Sequence, residues 1–448
     1  MAPLTPRVRA IATPFICDSC LGRVRLSHGL NSRTTRYLSL SSASTNHQAS
    51  SRFSVPSSYV FTRAHTSKTH QFIQPTQPRR QYATDFATKT HPPLAAKGLT
   101  PLPNRRLVSL SGPDAAKFLQ GLVTNSVDPH GQSSFYCAFL NARGRVLWEV
   151  FIWVLPEGGQ WACYIEVDSE EVDALLQHLR RHKLRSKINI ALVPENEVGV
   201  WSAWGLDQEQ LQGDSLIAYL PDPRAPGFGI RCLLNGDQGS DDKKTDLHLP
   251  VVDTQQYHIR RYLYGIPEGP REIQREGALP MEFNFDLSDA IDFKKGCYVG
   301  QELTIRTKHT GVVRKRVLPI QLYHPGDTIP EDQLSFFDPA SNAADLIETG
   351  TDIKPVPAYA DPKKVRAAGK FIAGAGNVGL ALCRLEMMTD MRVNSEGVSV
   401  RPGAEFIVQS SDVAGNEIRI KAIVPQWLRD KESAVWHKER RVPVGNMD

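Results

Sequence analysis

The sequence predicts an α+β fold that closes with a small β-barrel. Three observations carry this. Through the first two thirds of the chain, short runs alternate apolar and polar residues between turn signals, the two-residue period of half-buried strands. Helical spacing is confined to a few stretches, clearest at residues 169–183, where Val172, Leu175, Leu176 and Leu179 share one face. From Val312 onward the chain holds short strand-like runs separated by turns.

Arg105–Ser111 alternates like a strand. Gly112-Pro113-Asp114 then opens a helix, with Pro at an early position and an acid in the first turn. Ala116, Leu119, Gln120 and Val123 continue it, and Thr124-Asn125 ends it. Phe135–Leu140, the turn Asn141-Ala142-Arg143-Gly144 and Val146–Val154 make a β-hairpin. Residues 161–167, 188–193 and Val198–Trp204 read as further strands, and residues 238–244 as a polar loop. Asp253 caps a helix running to about Tyr264, and residues 268–292 are irregular. Residues 371–386, 404–408 and 417–424 supply barrel strands. The expected organisation is a leader over 1–82, a linker over 83–98, an α+β region of two interleaved subdomains over 99–310, a barrel over 311–430 with a long loop insertion at about 325–364, and a tail over 431–448.

The 448 residues are 41% hydrophobic and 23% charged, the composition of a globular chain that can bury a core. The net charge of +5 is unevenly spread. Residues 1–82 hold 11 Lys and Arg against the single acid Asp18, a local +10, which leaves −5 for the rest. A mildly acidic body argues against general nucleic-acid binding. The leader is rich in Arg, Ser and Thr and resembles a mitochondrial transit peptide, with Arg80-Gln81-Tyr82 before Ala83 as a matrix processing site. No run approaches the ~18 apolar residues of a membrane span, so no membrane insertion is expected. The cysteines, at 17, 20, 137, 163, 232, 297 and 383, form no disulfide framework, and the Cys17/Cys20 pair lies inside the leader.

The strongest candidate site is Lys295-Gly296-Cys297-Tyr298-Val299-Gly300-Gln301-Glu302. Gly296 and Gly300 give the thiol of Cys297 a backbone capable of tight, exposed geometry. Lys295 favours the thiolate, the form that binds metals. Tyr298 offers a hydroxyl and a stacking face, and Gln301-Glu302 can cap a loop. Two other patterns are set aside. Gly374-Ala375-Gly376-Asn377-Val378-Gly379 fits a dinucleotide fingerprint, but the apolar run after it is too short for the required helix, so it reads as a hairpin turn. His178 and His182 have zinc-ligand spacing, but Arg180, Arg181, Lys183 and Arg185 around them would repel a cation.

The octapeptide at 295–302 resembles the signature of the YgfZ-type proteins, relatives of the glycine cleavage T-protein, an aminomethyltransferase. Leu279-Pro280-Met281-Glu282 with Asn284, Arg306, the segment from Gly112 to Leu122 with Thr124-Asn125, the segment from Leu140 to Val146, and Gly379-Leu380-Ala381-Leu382 with Arg384 extend the likeness over most of the chain after the leader. The resemblance implies a three-part T-protein-like folate-binding fold with a central funnel. It implies a matrix role in late iron–sulfur cluster assembly for [4Fe–4S] proteins such as aconitase and lipoate synthase, with A-type assembly proteins as partners. Cys297 becomes the thiol that contacts a transient, shared [2Fe–2S] cluster. Lys295, Arg306 and Asn141 become contacts for tetrahydrofolate. Ser126 departs from the family, where an acid often follows Thr124-Asn125. A folate-dependent aminomethyltransferase-like enzyme is the alternative, and a Cys-nucleophile enzyme using His309 is a third reading.

Overall fold

The computed structural model describes residues 91–236, 247–327, 336–356, 366–391, 404–410 and 417–436. The expected leader and its processing site, Cys17, Cys20, the expected loop at 238–244 and residues 437–448 lie outside these.

The chain enters through His91, which is 4% exposed. Its N–H donates to Pro339 O at 2.9 Å and its Nε2 accepts from Gly376 N–H at 3.1 Å. The second half of the expected linker is therefore part of the fold. Strand β1 (Gly98–Pro101), missed in the sequence, precedes β2 (Arg105–Ser111). Helix α1 (Ala115–Gln120) is shorter than expected. The chain leaves it because the Thr124 hydroxyl is drawn inward, donating to Ala290 O at 2.7 Å and accepting from Ala138 N–H at 2.9 Å. The hairpin of β3 (Phe135–Leu140) and β4 (Val146–Val154) stands as predicted. Then come β5 (Cys163–Asp168), α2 (Val172–Lys183), β6 (Asn189–Leu192) and β7 (Val198–Trp204).

These strands form a five-stranded sheet in the order β3-β4-β5-β2-β6. Every residue of β4 is buried, because both its faces are covered. Val150 and Ile152 pack with Leu175 and Leu179 of α2, while Phe151 and Trp153 face a central core with Trp204 and Tyr257. Two more unpredicted strands, β8 (Leu216–Pro221) and β9 (Ile230–Asn235), complete a second sheet in the order β1-β7-β9-β8.

Helix α3 (Thr254–Tyr264) starts at Asp253, whose carboxylate accepts from Gln255 N–H at 2.7 Å. It stops at Gly265, at φ 75°, where a Cβ would meet Pro319 Cδ at 2.8 Å. The irregular segment after it docks on the barrel. Arg316, fully buried, donates to Asp286 Oδ1 and Oδ2 at 2.9 and 2.8 Å and to Met281 O at 2.9 Å, and Asn284 Nδ2 donates to Val317 O at 2.8 Å.

Helix α4 (Gln301–Thr310) was not foreseen. The barrel follows, with β10 (Lys315–Tyr323), β11 (Asp352–Pro355), β12 (Gly369–Ala375), β13 (Val378–Arg384), the short α5 (Leu385–Met388), β14 (Phe406–Gln409) and β15 (Glu417–Ala422), closed in the order β10-β13-β12-β11-β14-β15. The stretch expected as a loop insertion at 325–364 contains β11 and a 3-10 turn at Ala343–Leu346, so its described part belongs to the barrel. The GxGxxG pattern is the β12–β13 hairpin, turning at Gly376 with φ 61°. Helix α6 (Gln426–Trp436) occupies the start of the expected tail. No helix among the described residues is long and apolar enough to cross a membrane.

Candidate functional site

The loop carrying Cys297 is strapped across the end of α1. Asp292 N–H donates to Thr124 O and Val299 N–H to Gly121 O, each at 3.1 Å. Between these straps, the Lys295 ammonium donates to the carbonyls of Gln120, Val123 and Asn125 at 2.9, 2.7 and 2.6 Å. A cation there satisfies the last carbonyl of α1 and two carbonyls of the segment that follows it. It also lies 5.1 Å over the Tyr298 ring. Burial pulls Lys295 down to about 8. From the sequence, this charge is expected to serve the thiol and, by the family resemblance, a folate. Its three N–H bonds instead clasp the loop, and none is left for a folate.

Cys297 itself is exposed, whereas Cys137, Cys163, Cys232 and Cys383 are 0–2% exposed. Burial pushes those four thiols up, Cys232 to about 12. Gly296 borders open space, so packing does not require a glycine there. Gly300 is different. It caps α4 at φ 81°, and a Cβ on it would lie 2.3 Å from Asn141 O. The next residues settle the loop onto the helix. Gln301 Oε1 accepts from Tyr298 N–H at 3.3 Å, and Glu302 is an exposed acid in the first turn. The Tyr298 ring is buried, its hydroxyl beside that of Thr304 but short of a well-formed bond, and burial pushes it up to about 12.

Asn141 is a turn residue. Its Oδ1 accepts from Arg143 N–H at 2.9 Å and Arg145 N–H at 3.0 Å, an Asx turn. Arg306 is exposed one helical turn beyond Glu302. Lys295 and Asn141 are thus engaged with backbone groups, and Arg306 stands in solvent. His309 lies ~12 Å along α4 from its start, too far from the Cys297 end to act as its base. The His178 and His182 rings lie 4.2 Å apart, tilted by 37°, and burial, then His182, pulls His178 down to about 4. Among the described residues no group of three His, Cys, Asp or Glu side chains is placed to hold a metal ion.

The sequence reading missed a buried charge network at the junction of the two sheets. Arg105 bonds Glu149 and Glu166, Arg231 bonds Glu166 and Glu268, and Arg224 bonds Asp222 and Glu268. The Tyr257 hydroxyl donates to Glu268 at 2.6 Å. Burial raises Glu268, but Arg231, Arg224 and Arg105 outweigh it and hold the carboxyl well below the usual range. Burial keeps Glu149 raised. The signal was present, in single charges within otherwise apolar strands: Glu149 in β4 and Arg231 in β9. Beside the network, a cleft of ≈ 380 Å³ is lined by Asn104, Asp168, His258 and Glu268 among others.

With this geometry in place, similarity to known proteins decides the family. A relative from Phaeosphaeria nodorum, named iron-sulfur cluster assembly factor IBA57 homolog, mitochondrial, is 45% identical over 370 residues, covering 81% of this chain and 87% of its own. The chain belongs to this IBA57 family of mitochondrial assembly factors. The Neurospora crassa homolog of IBA57 is 42% identical over 398 residues, covering 82% of this chain and 88% of its own. The family model for the CAF17 C-terminal beta-barrel domain matches residues 314–430, which contain all six barrel strands, β10–β15. The crystal structure of glycine cleavage system aminomethyltransferase T from Bartonella henselae superposes with TM-score 0.51 at 13% identity, covering 76% of this chain and 87% of that one, which shows the shared α+β fold. The family agrees with the mitochondrial assembly-factor role, and the fold with the T-protein-like fold, that the YgfZ-type resemblance implied.

Proposed function

We propose that this IBA57-family chain acts in the mitochondrial matrix at a late step of iron–sulfur cluster assembly, as an assembly factor rather than a catalyst. Cys297 supplies one thiolate to a [2Fe–2S] cluster shared with an A-type assembly protein, on the way to [4Fe–4S] clients such as aconitase and lipoate synthase. The observation that carries this reading is the exposure of Cys297 on a loop clasped at both ends, while the other four described cysteines are buried. Such a cluster takes four ligands, mostly thiolates. One exposed thiol therefore suits a cargo held jointly and released. Depletion should lower aconitase activity and protein lipoylation, with rescue by wild type and none by Cys297→Ser. Normal activities after depletion, or full rescue by the serine variant, would overturn it.

A second reading concerns tetrahydrofolate. The ≈ 380 Å³ cleft favours it, because Asp168, Glu268 and Asn104 line it and one oxygen each of Glu268 and Asn104 has no hydrogen-bond partner. Such acceptors suit the N–H edge of an aminopyrimidinone ring. Equilibrium dialysis with 5-formyltetrahydrofolate tests this. Binding that Asp168→Asn weakens at least tenfold supports it, and equal retention by both proteins removes it.

A further inference from the structure

Leu184 is 88% exposed, the most exposed of the large apolar side chains noted among the described residues. Its backbone sits at φ 42°, ψ −110°, the first central position of a type II′ turn closed by Ser186 N–H to Lys183 O at 2.8 Å. That position belongs to glycine, and a leucine in it is strained. The turn is firmly held. Ile188 N–H donates to Ser186 O at 3.0 Å, and Lys187 N–H donates to Asp114 Oδ2 at 2.7 Å. A large apolar side chain is thus fixed in water, on a backbone that resists it, with no burial to offset the strain.

The surroundings are predominantly basic, with the Asp114 carboxylate at Lys187 N–H as the acid in contact with the turn. Arg180, Arg181, Lys183, Arg185 and Lys187 flank Leu184, and no acid occurs between Ala174 and Ile188. The cations in the last turn of α2 complement its carbonyl end, but Arg185 and Lys187 lie beyond the helix. We infer that Leu184 and this basic collar form a docking knob for a protein partner whose surface sets an apolar socket inside an acidic rim. The charge selects an acidic partner. The turn fixes the backbone position from which a single apolar side chain projects, which selects a socket at one place, since preorganisation reduces the ordering cost of binding. An anionic membrane would need neither the strained turn nor a single apolar residue at one set position. The knob is argued independently of Cys297.

Leu184→Gly is the decisive variant, because it removes the knob while relieving the backbone. It should raise Tm by roughly 2–4 °C. In intact mitochondria, the full chain with photoreactive benzoylphenylalanine in place of Gln177 should give a discrete protein adduct, crosslinked within an acid-rich segment. Leu184→Gly, or Arg180→Glu with Arg181→Glu, should cut its yield at least tenfold, while Cys297→Ser leaves it unchanged. A lower Tm for Leu184→Gly, an adduct indifferent to both variants, or the lack of any protein adduct would overturn the proposal. So would Leu184-dependent cosedimentation with phosphatidylglycerol vesicles, which would assign the knob to a membrane.

Discussion

Gly144 and Gly300 lie backbone against backbone. A Cβ on Gly144 would sit 3.0 Å from Gly300 O, and one on Gly300 would sit 3.3 Å from Gly144 Cα. Two motifs far apart in the sequence are thereby interlocked, the β3–β4 turn and the start of α4. Both glycines also hold positive φ, 75° and 81°. Gly300→Ala therefore meets strain and collision together and should cost roughly 2–4 kcal/mol. Urea unfolding would measure it, and faster alkylation of Cys297 should accompany it as the loop loosens.

Lys295→Met should destabilise the protein by roughly 1–2 kcal/mol, because three carbonyls lose a charged donor. Lys295→Arg should not restore it, since a planar fork does not reproduce three convergent bonds from one nitrogen. Hydrogen exchange at Asp292 and Val299, whose N–H groups strap the loop, is the direct measurement.

Thiol chemistry should separate the cysteines by burial. Among the described cysteines, Cys297 should react with a disulfide reagent in the folded protein, and the buried four only on unfolding. Cys297→Ser should remove the fast phase without changing Tm. A fast phase that persisted in the residues from 91 onward would contradict the burial seen here.

Acid should act through two histidines. Burial is the main cause that pulls His178 and His258 down to about 4 from the usual 6.5. His258 also accepts a bond from Arg261 at 2.8 Å, which needs its neutral form. The unfolded chain then binds more protons over this interval, so stability is complete above about pH 6.5 and is lost as the pH falls towards 4. His258→Asn should flatten the fall of the urea midpoint between those values.

The Arg316–Asp286 pair, both side chains fully buried, holds the irregular segment on the barrel. Asp286→Ala leaves a buried charge without its partner and should cost roughly 3–5 kcal/mol. Proteolysis near residues 268–292 should accelerate in proportion.

Local chemistry was legible in the sequence and convergence was not. The β3–β4 hairpin could be read because Asn141 makes its turn with neighbours two and four residues away. The α2 stripe and the Asp253 cap are local in the same way. Helix α4 escaped because Leu303 and Ile305 are its only large apolar residues and form no stripe. Strand β9 was obscured by Arg231, whose partners come from β5 and from beyond α3. β11 hid behind Asp352, Lys354 and Pro355. At the site, Cys297 was found by its motif, but the duty of Lys295 depends on carbonyls 170 to 175 residues away. No spacing rule reports contacts of that range.

The burial of His91 sets a limit on how far the amino terminus can be trimmed. A protease acting there must stop short of this imidazole. A cut beyond it would empty a socket formed by Pro339 and Gly376, and the barrel would lose its tie to the chain's first turn. A chain shortened past His91 would thus lose more than length, because this residue stoppers the barrel at Pro339 and Gly376.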